Sequence, residues 1–297
     1  MSTAPLPLKT LLGDYANTRA LRDGRLSSPN FTFDFADVKV PNRAFKRVVR
    51  NLEFDLAELA LVTFLQAKAY GKPLTLMPAV IGAGRFQHHC LVYNAERAPV
   101  RVQDLRGKRI GIRAHAQTTV TWVRGVLANE YGVDLRDIQW VTFEDGHLAE
   151  FPDPPGFIRA PKNSKAVDML LAGELDAAII GTDLPDDPRL QSVIPEPHTA
   201  ALAWSQRHQM LPINHMVAVN LELCHTHPRL LREVYDLMLQ SKQLASPQAG
   251  NALDLTPFGV EANRRSLDLL IRYSYQQGLI PRAYAVDELF DDATRFL

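Results

Sequence analysis

The sequence predicts an α/β protein in which helices pack on sheets. Extended runs rich in apolar residues alternate with amphipathic stretches along much of the 297-residue chain. A chain of this length forms one large domain or two medium ones, each able to bury a hydrophobic core. With 46% hydrophobic and 22% charged residues, the composition is that of an ordinary globular protein and not of a disordered one.

Short extended runs bounded by turn residues mark the predicted strands. Because these runs recur between amphipathic stretches, they favour sheets that are covered by helices. The predicted strands cover residues 8–13, 31–38, 54–60, 74–82, 89–93, 109–113, 138–143, 176–181 and 216–220.

The spacing of apolar residues indicates helices between the strands and after them. Phe45, Val48 and Val49, for example, repeat at the three-and-four spacing that places side chains on one helix face. The last 70 or so residues contain three such patterns, and Pro228 suits the first turn of the first of them. The predicted helices cover residues 42–50, 118–131, 228–245, 261–277 and 286–296.

Two stretches are predicted as loops. Residues 144–163 contain four prolines and are longer than an ordinary connection between elements. A flap over a site and a surface excursion without a role are equally compatible with this stretch. Residues 181–197, rich in Asp and Pro, form a second and shorter loop.

Charge and cysteine usage exclude some classes of partner. The 33 basic and 33 acidic residues balance, which disfavours nucleic-acid binding through a general basic surface. No run of about 18 apolar residues and no secretory signal is visible, so no membrane association is expected. The two cysteines, Cys90 and Cys224, match no metal-ligand spacing and are interpreted as reduced thiols. We therefore predict a cytoplasmic protein.

Several motifs, taken in order, resemble the 4,5-dihydroxyphthalate decarboxylase family, whose members are similar to type II periplasmic substrate-binding proteins. The resemblance covers almost the whole chain, and the proline-rich loop falls outside it. The motifs are GDYANTRAL at 13–21, FDLAELALVTFLQAKAYG at 54–71, PAVIGAGRFQHHCLVYN at 78–94, DLRGKRIGIRAHAQTTVTWVRGVLANEYGV at 104–133, AGELDAAI at 172–179, LPINHMVAVN at 211–220 and TPFGVEANRRSLDLLIRYSYQQGL at 256–279.

The resemblance implies two α/β lobes joined by two crossing strands, with a helical C-terminal region and a ligand cleft between the lobes. The crossings are expected near residues 87–91 and 212–217. The first lobe would comprise residues 1–87 and 215–297, and the second lobe residues 88–214. Helix N-termini at such a cleft suit an anionic ligand, because their unpaired N–H groups and the helix dipole favour negative charge.

One motif departs from the family pattern. The family usually has R-x-F-R-H-S before the crossing strand, whereas this chain has Gln87, His88 and His89 after Arg85-Phe86. An arginine is missing at position 87 and a histidine replaces a small hydroxyl residue, so the substrate can differ from that of the family. The two adjacent histidines would point to opposite faces of a strand, which argues against their chelating one metal ion.

Three residues are candidates for catalysis. His88 occupies the family's F-x-H position, and an imidazole can give and take a proton near neutrality; a buried core histidine is the alternative. Glu58 lies in an apolar run where an unpaired carboxylate is costly, so it acts on substrate hydroxyls or forms a structural ion pair. His215, in the second crossing, is a second proton carrier beside His88 or simply begins a strand.

Four residues are candidates for binding carboxylate groups. Arg85 follows two glycines, and its guanidinium can hold a carboxylate with two parallel hydrogen bonds. Arg113 at a strand end, with Thr118 and Thr119 at the next helix start, forms a second anion-binding group. The alternative for the threonines is helix capping.

Three further residues match the family's motifs. Asp14 and Arg19 flank the first strand-to-helix turn, where a helix cap and a solvated helix residue are the alternatives. Glu261 lies near a helix start, where capping is at least as good an explanation as ligand contact.

The resemblance therefore predicts a cofactor-independent decarboxylase of a hydroxylated aromatic dicarboxylate, with no metal and no cofactor. The partner would be a small anionic aromatic substrate, and a homo-oligomer is the default for such an enzyme. A non-catalytic binding protein for a small carboxylate is the alternative, because a fold does not fix a function.

Overall fold

A computed structural model describes residues 4–245 and 253–297. Strands and helices alternate along the first 220 residues, and the described residues beyond them are mostly helical. The strands are β1 (Leu6–Leu11), β2 (Phe31–Phe35), β3 (Leu56–Ala60), β4 (Leu74–Val80), β5 (Leu91–Asn94), β6 (Arg109–Ile112), β7 (Gln139–Thr142), β8 (Ile158–Arg159), β9 (Ala177–Ile179), β10 (Leu190–Ser192) and β11 (His215–Asn220).

The α-helices lie between and after these strands, joined in places by single turns of 3-10 helix. The helices are α1 (Arg19–Arg22), α2 (Phe45–Asn51), α3 (Leu61–Ala69), α4 (Thr118–Tyr131), α5 (Ala166–Ala172), α6 (Pro197–His208), α7 (Leu221–Thr226), α8 (Pro228–Ala245), α9 (Val260–Gln276) and α10 (Asp292–Arg295).

The described chain divides into two compact units. The first unit comprises Met1–Gly84, Ile213–Ile271 and Ile280–Leu297. The second comprises Arg85–Pro212 and Arg272–Leu279, so it includes the end of α9. Both units are therefore assembled from segments that are distant in sequence.

The first unit contains a five-stranded sheet in the order β2-β1-β3-β11-β4. Strands β1, β2 and β3 are parallel, and β11 runs antiparallel to both β3 and β4. Strand β11 enters the middle of the sheet from late in the sequence and is apolar and buried over Met216–Val219. One face of this sheet packs on α8, whose Leu231, Val234 and Met238 are buried in the same apolar core as Leu8.

The second unit contains a six-stranded sheet in the order β10-β5-β9-β6-β7-β8. Strands β9, β6, β7 and β8 run parallel to one another, whereas β5 runs antiparallel to β9 and β10. The carboxyl ends of the parallel strands therefore meet at one edge of the sheet, where ligands of open α/β sheets bind.

Several predicted elements are wrong in detail. The single helix predicted over residues 286–296 is instead a 3-10 turn, Val286–Leu289, and the short helix α10, because Asp291 caps a new helix between them. The strand predicted at 89–93 begins only at Leu91, and His88–Cys90 form a 3-10 turn.

Both predicted loops contain a strand. Residues 144–163 include β8, which pairs with β7, and residues 181–197 include β10, which pairs with β5. Each strand is only two or three residues long and lies at an edge of its sheet, so neither has the alternation that predicts a strand.

No helix in the described parts of the chain is long and apolar enough to cross a membrane.

Candidate functional site

The first group of candidate residues is centred on Glu58 in the middle of β3. Its side chain is fully buried, with 0% exposure. In the antiparallel ladder Glu58 lies opposite Val217, and His215 is two residues away on β11. Since side chains two residues apart share a face, Glu58 and His215 are diagonal neighbours on one side of the sheet.

Three hydrogen-bond donors converge on the Glu58 carboxylate. Nδ1 of His215 lies 2.7 Å from Oε1, and the hydroxyl of Tyr15 donates to the same oxygen at 2.9 Å. The backbone N–H of Gly13 donates to Oε2 at 3.1 Å. A carboxylate with three donors is a satisfied anion, which explains how the charge is tolerated in an apolar strand.

Burial and the neighbouring carboxylate raise the pKa of Tyr15 far above its ordinary value, so the phenol stays protonated and acts as a donor. Its position depends on Gly13, because a Cβ at residue 13 would lie 2.4 Å from the Tyr15 ring. The glycine thus allows the ring to fold back over the end of β1.

His215 is partly exposed. Its side chain is 26% exposed, and the ring of Phe45 contacts it edge-on with centroids 5.2 Å apart. With Nδ1 held by Glu58, the imidazole is fixed in orientation and Nε2 is the nitrogen that faces away from the carboxylate. The pair is arranged as an oriented proton carrier, in the way an acidic residue orients a catalytic histidine.

His88 lies in the second unit, in a different setting. It is buried, with 3% exposure, and packs edge-on against Trp204 with centroids 5.8 Å apart. Burial lowers its pKa to about 4, so the imidazole is neutral near pH 7. Within the described residues its Nδ1 has no hydrogen-bond partner. As a proton donor His88 stays a prediction, and it lies in a 3-10 turn rather than in the predicted strand.

A cavity of about 300 Å³ lies in the second unit, at the carboxyl ends of the parallel strands β6, β7 and β9. Its volume falls at the lower limit for sites of small molecules. Basic, acidic and apolar side chains share its wall, as expected of a site for an amphipathic anion. Its lining includes Arg113, Gln117, Phe143, Glu144, Lys165, Ile179, Gly181 and Asp183.

The predicted carboxylate binders all lie in this unit. Arg113 lines the cavity, and its guanidinium lies 3.9 Å from the Glu144 carboxylate. Nη2 of Arg85 donates to the hydroxyl of Thr119 at 3.3 Å. Thr118 and Thr119 are buried in the first turn of α4, whose N-cap is Gln117. The alternative in which a threonine caps this helix is therefore wrong.

Asp14, Arg19 and Glu261 form exposed ion pairs. Asp14 and Arg19 pair with each other at 3.3 Å, both about 60% exposed, and Glu261 pairs with Arg264 at 2.6 Å in the first turn of α9. The N-cap of α1 is Thr18, so Asp14 is not its cap. As ligand contacts these three residues stay predictions.

Four residues of these two groups were not predicted from the sequence: Tyr15, Gln117, Lys165 and Gly181. Tyr15 and Gln117 lie inside motifs that were singled out, but their importance depends on contacts with distant residues. Lys165 lies two residues beyond the proline-rich stretch, where no pattern marks it. Gly181 ends a predicted strand, and no pattern marks it as part of a cavity wall.

Two α/β units, each assembled around its own sheet from segments distant in sequence, are typical of the periplasmic-binding-protein-like class of folds. A solved structure supports this fold class. The periplasmic aliphatic sulphonate binding protein SsuA from Escherichia coli superposes with a TM-score of 0.62 over 99% of this chain and 94% of that protein, at 11% identity. The predicted fold class is therefore confirmed.

The chain is also similar to 4,5-dihydroxyphthalate decarboxylases. That of Comamonas testosteroni is 29% identical over 299 residues, covering 95% of this chain and 89% of the relative. That of Pseudomonas putida is 28% identical over 211 residues, covering 67% and 81% of the two chains. No family model matches the chain. The resemblance predicted from the motifs is confirmed by these two relatives.

Proposed function

We propose that this protein is a cofactor-independent decarboxylase of a hydroxylated aromatic dicarboxylate, with 4,5-dihydroxyphthalate as the first substrate to test. The observation that carries the proposal is the buried Glu58 carboxylate that orients the imidazole of His215. The resemblance to the two decarboxylases, over most of the chain, supplies the substrate class. Such a reaction would serve the breakdown of aromatic acids such as phthalate, and we propose that it takes place in the cytoplasm.

The proposed reaction replaces a ring carboxylate by a hydrogen atom. A ring hydroxyl para to that carboxylate pushes electrons into the ring, and a proton is delivered to the carbon that bears the carboxylate. The bond between this carbon and the carboxylate then breaks, CO2 leaves with no charge, and the ring recovers its aromaticity. One proton is consumed in each turnover, so the enzyme needs a group that donates a proton and is reprotonated from water.

We assign the proton donor to His215. With Nδ1 hydrogen-bonded to Glu58, the protonated ring carries its transferable proton on Nε2, and the carboxylate stabilises the imidazolium. Glu58 acts through His215 and is a positioning residue, because its carboxylate is fully buried. His88 suits the role less well, since burial lowers its pKa to about 4 and leaves few imidazolium ions near neutral pH.

Carboxylate binding is assigned to the cavity of the second unit. Arg113 and Lys165 supply positive charge, and Glu144 and Asp183 supply acceptors for ring hydroxyls. Phe143, Ile179 and Ile180 provide an apolar surface for a ring.

The test is to incubate the purified protein with 4,5-dihydroxyphthalate and to follow CO2 release and the appearance of 3,4-dihydroxybenzoate. We expect one molecule of each per substrate molecule, without added metal or cofactor. Thermal stabilisation by the dicarboxylate without its consumption would instead support the binding-protein alternative, because a ligand of the native state raises apparent stability by mass action.

A further inference from the structure

His115, just before α4, is enclosed by the proline-rich stretch of residues 144–163 and by α4. Its side chain is buried, with 4% exposure. The rings of Phe151 and Phe157, both in the stretch, pack against the imidazole. Arg124 of α4 donates to the carbonyl oxygen of His115 and contacts its Nδ1 at 3.0 Å. All of these residues belong to the second unit, so the imidazole joins two of its segments.

The contact with Arg124 decides which form of the imidazole fits here. A guanidinium only donates hydrogen bonds, so Nδ1 of His115 is the acceptor and the ring proton is on Nε2. Burial, with a smaller contribution from Arg124, lowers the pKa of His115 to about 3. Burial also lowers the pKa of Arg124 to about 9, so the guanidinium keeps its charge at pH 7. The enclosed imidazole is therefore neutral beside a cation.

A further proton on this ring would have no compensating group. It would bind at Nδ1, where it removes the hydrogen bond from Arg124 and places two cations 3.0 Å apart. In the described parts of the chain, Arg124 is the charged side chain that acts on the pKa of His115. Three carboxylates of the stretch pair with other cations: Glu144 with Arg113, and Asp145 and Asp153 with Arg159.

The stretch is the part of this arrangement that can move. Most of its residues are exposed or half-buried, and its buried side chains are those of Leu148 and Ala160. Arg124, by contrast, lies in the run of buried residues Thr118–Leu127 of α4. Segments with few buried contacts open at low cost, so a protonated ring reaches water by displacing Phe151 and Phe157 rather than by unfolding α4.

We propose that His115 is an acid-sensitive latch, which holds residues 144–163 closed while its imidazole is neutral and releases them when Nδ1 takes up a proton. Glu144 in the stretch and Lys165 just beyond it line the cavity, so release changes the wall of that cavity. The latch does not depend on the proposed function, because it rests on contacts within the second unit alone.

The expected size of the effect follows from proton linkage. The released ring has the ordinary pKa of 6.5, whereas the enclosed ring has a pKa of about 3. Because the released form binds the proton more tightly, the equilibrium shifts towards release as the pH falls below 6.5, and it continues to shift until about pH 3. Between pH 7.5 and pH 5, the ratio of released to closed molecules should rise about 30-fold.

Hydrogen–deuterium exchange followed by mass spectrometry tests the latch on the whole protein. Exchange is measured at pH 7.5 and at pH 5 and corrected for the intrinsic exchange rate at each pH. We expect the protection factors of peptides within residues 144–163 to fall about 30-fold between the two pH values. The amide of Ala160 belongs to this set, because it donates to the carbonyl oxygen of Thr142.

Two variants of the latch residue remove the titration in different ways. His115→Asn keeps an acceptor near the position of Nδ1, and His115→Phe keeps an aromatic ring against Phe151 and Phe157. Because neither side chain titrates, protection in the stretch should change by less than about threefold over the same pH range. Either variant suffices if the other fails to fold. His227→Asn, at an exposed histidine, is the matched control and should show the wild-type fall.

The outcomes are decisive in both directions. A fall confined to proteins that retain His115 supports the latch. A wild-type fall of less than about threefold overturns it, even if both His115 variants fail to fold. A 30-fold fall that persists in a folded His115 variant also overturns it, because other groups would then control the stretch.

Discussion

Glu58 and His215 are 157 positions apart in the chain, and the register of two antiparallel strands brings Nδ1 of the imidazole to 2.7 Å from the buried carboxylate. The buried charge of Glu58 and the fixed orientation of the His215 ring each depend on the partner residue. Without His215 and its fellow donors the carboxylate would be an unpaired buried charge, and without Glu58 the ring would have no fixed orientation. The ion pair that the sequence left as one alternative for Glu58 is thus present, and it is compatible with a role of Glu58 in positioning His215. Direct action of Glu58 on substrate hydroxyls stays a prediction.

Replacing the carboxylate by an amide tests its effect on His215. In Glu58→Gln the amide has the size of the carboxylate but cannot stabilise an imidazolium. We expect kcat for 4,5-dihydroxyphthalate to fall by about 10²–10³, the usual contribution of acid–base catalysis, with KM changed by less than about threefold. Steady-state kinetics measure both constants. Glu53→Gln, at a partly exposed ion pair with Arg47, is the matched control and should behave as wild type. A Glu58→Gln enzyme with wild-type kcat would remove His215 and Glu58 from the mechanism.

Gly13 and Tyr15 should act on Glu58 as one unit. Tyr15→Phe removes a hydrogen bond to a charged group, and we expect about a tenfold fall in kcat. In Gly13→Ala the new Cβ would lie 2.4 Å from the Tyr15 ring and push the hydroxyl away from Glu58, so a similar fall is expected. The double variant should then be little worse than either single one. Fully additive losses in this double-mutant cycle would contradict the coupling.

Much of the fold could be predicted because its long elements have strong patterns. Helices α4 and α8 have the predicted bounds, and α9 differs by one residue at each end. Helix α3 was missed because residues Leu61–Ala67 are all buried, so it lacks the exposed polar face that gives an amphipathic helix its spacing. The edge strands β8 and β10 were missed because each is too short to show alternation.

The candidate site was less predictable than the fold. Motifs identified Glu58 and His215 separately, but their pairing depends on strand register, which a motif does not contain. Asp14 and Arg19 were predicted from their motif as ligand contacts, and in the structure they form an exposed ion pair with each other.

Burial of neutral His88 should make the second unit less stable in acid. Its pKa is lowered from 6.5 to about 4, so between these values the unfolded chain binds a proton that the folded chain does not. Stability therefore falls as the pH drops through this window, by about 2 kcal/mol at pH 5 relative to pH 7.5 for this residue. Urea unfolding measures the change, and tryptophan fluorescence reports on this unit because Trp122, Trp140 and Trp204 all lie in it.

The variant His88→Gln isolates this contribution, since the amide does not titrate. Its loss of stability between pH 7.5 and pH 5 should be smaller than that of wild type by about 2 kcal/mol. The two proteins are compared by how steeply the free energy of unfolding falls with pH. This comparison is needed because burial also lowers the pKa of His115, to about 3, so His115 destabilises the folded protein in acid in both of them. Identical slopes for the two proteins would show that His88 is solvated and free to take up a proton.

His115 ties the proline-rich stretch of residues 144–163 to the start of α4. Its ring stacks on Phe151 with centroids 5.9 Å apart and meets Phe157 edge-on at 4.5 Å. Arg124, whose pKa burial lowers to about 9, donates to the carbonyl oxygen of His115 and contacts its Nδ1 at 3.0 Å. Glu144 and Lys165, at and just beyond the two ends of the stretch, line the cavity.

Removing the aromatic contacts of His115 distinguishes the two interpretations of residues 144–163, a flap over a site and a surface excursion without a role. In His115→Ala the aromatic contacts disappear and Arg124 loses the acceptor at Nδ1, so we expect about 2–4 kcal/mol lower stability and at least tenfold faster cleavage within residues 144–163 by trypsin. His227→Ala, at an exposed histidine, is the control. If the stretch is a flap over the binding cavity, KM for the dicarboxylate rises severalfold while kcat changes little, because ground-state and transition-state binding weaken together. An unchanged KM alongside faster cleavage would instead identify a surface excursion without a role.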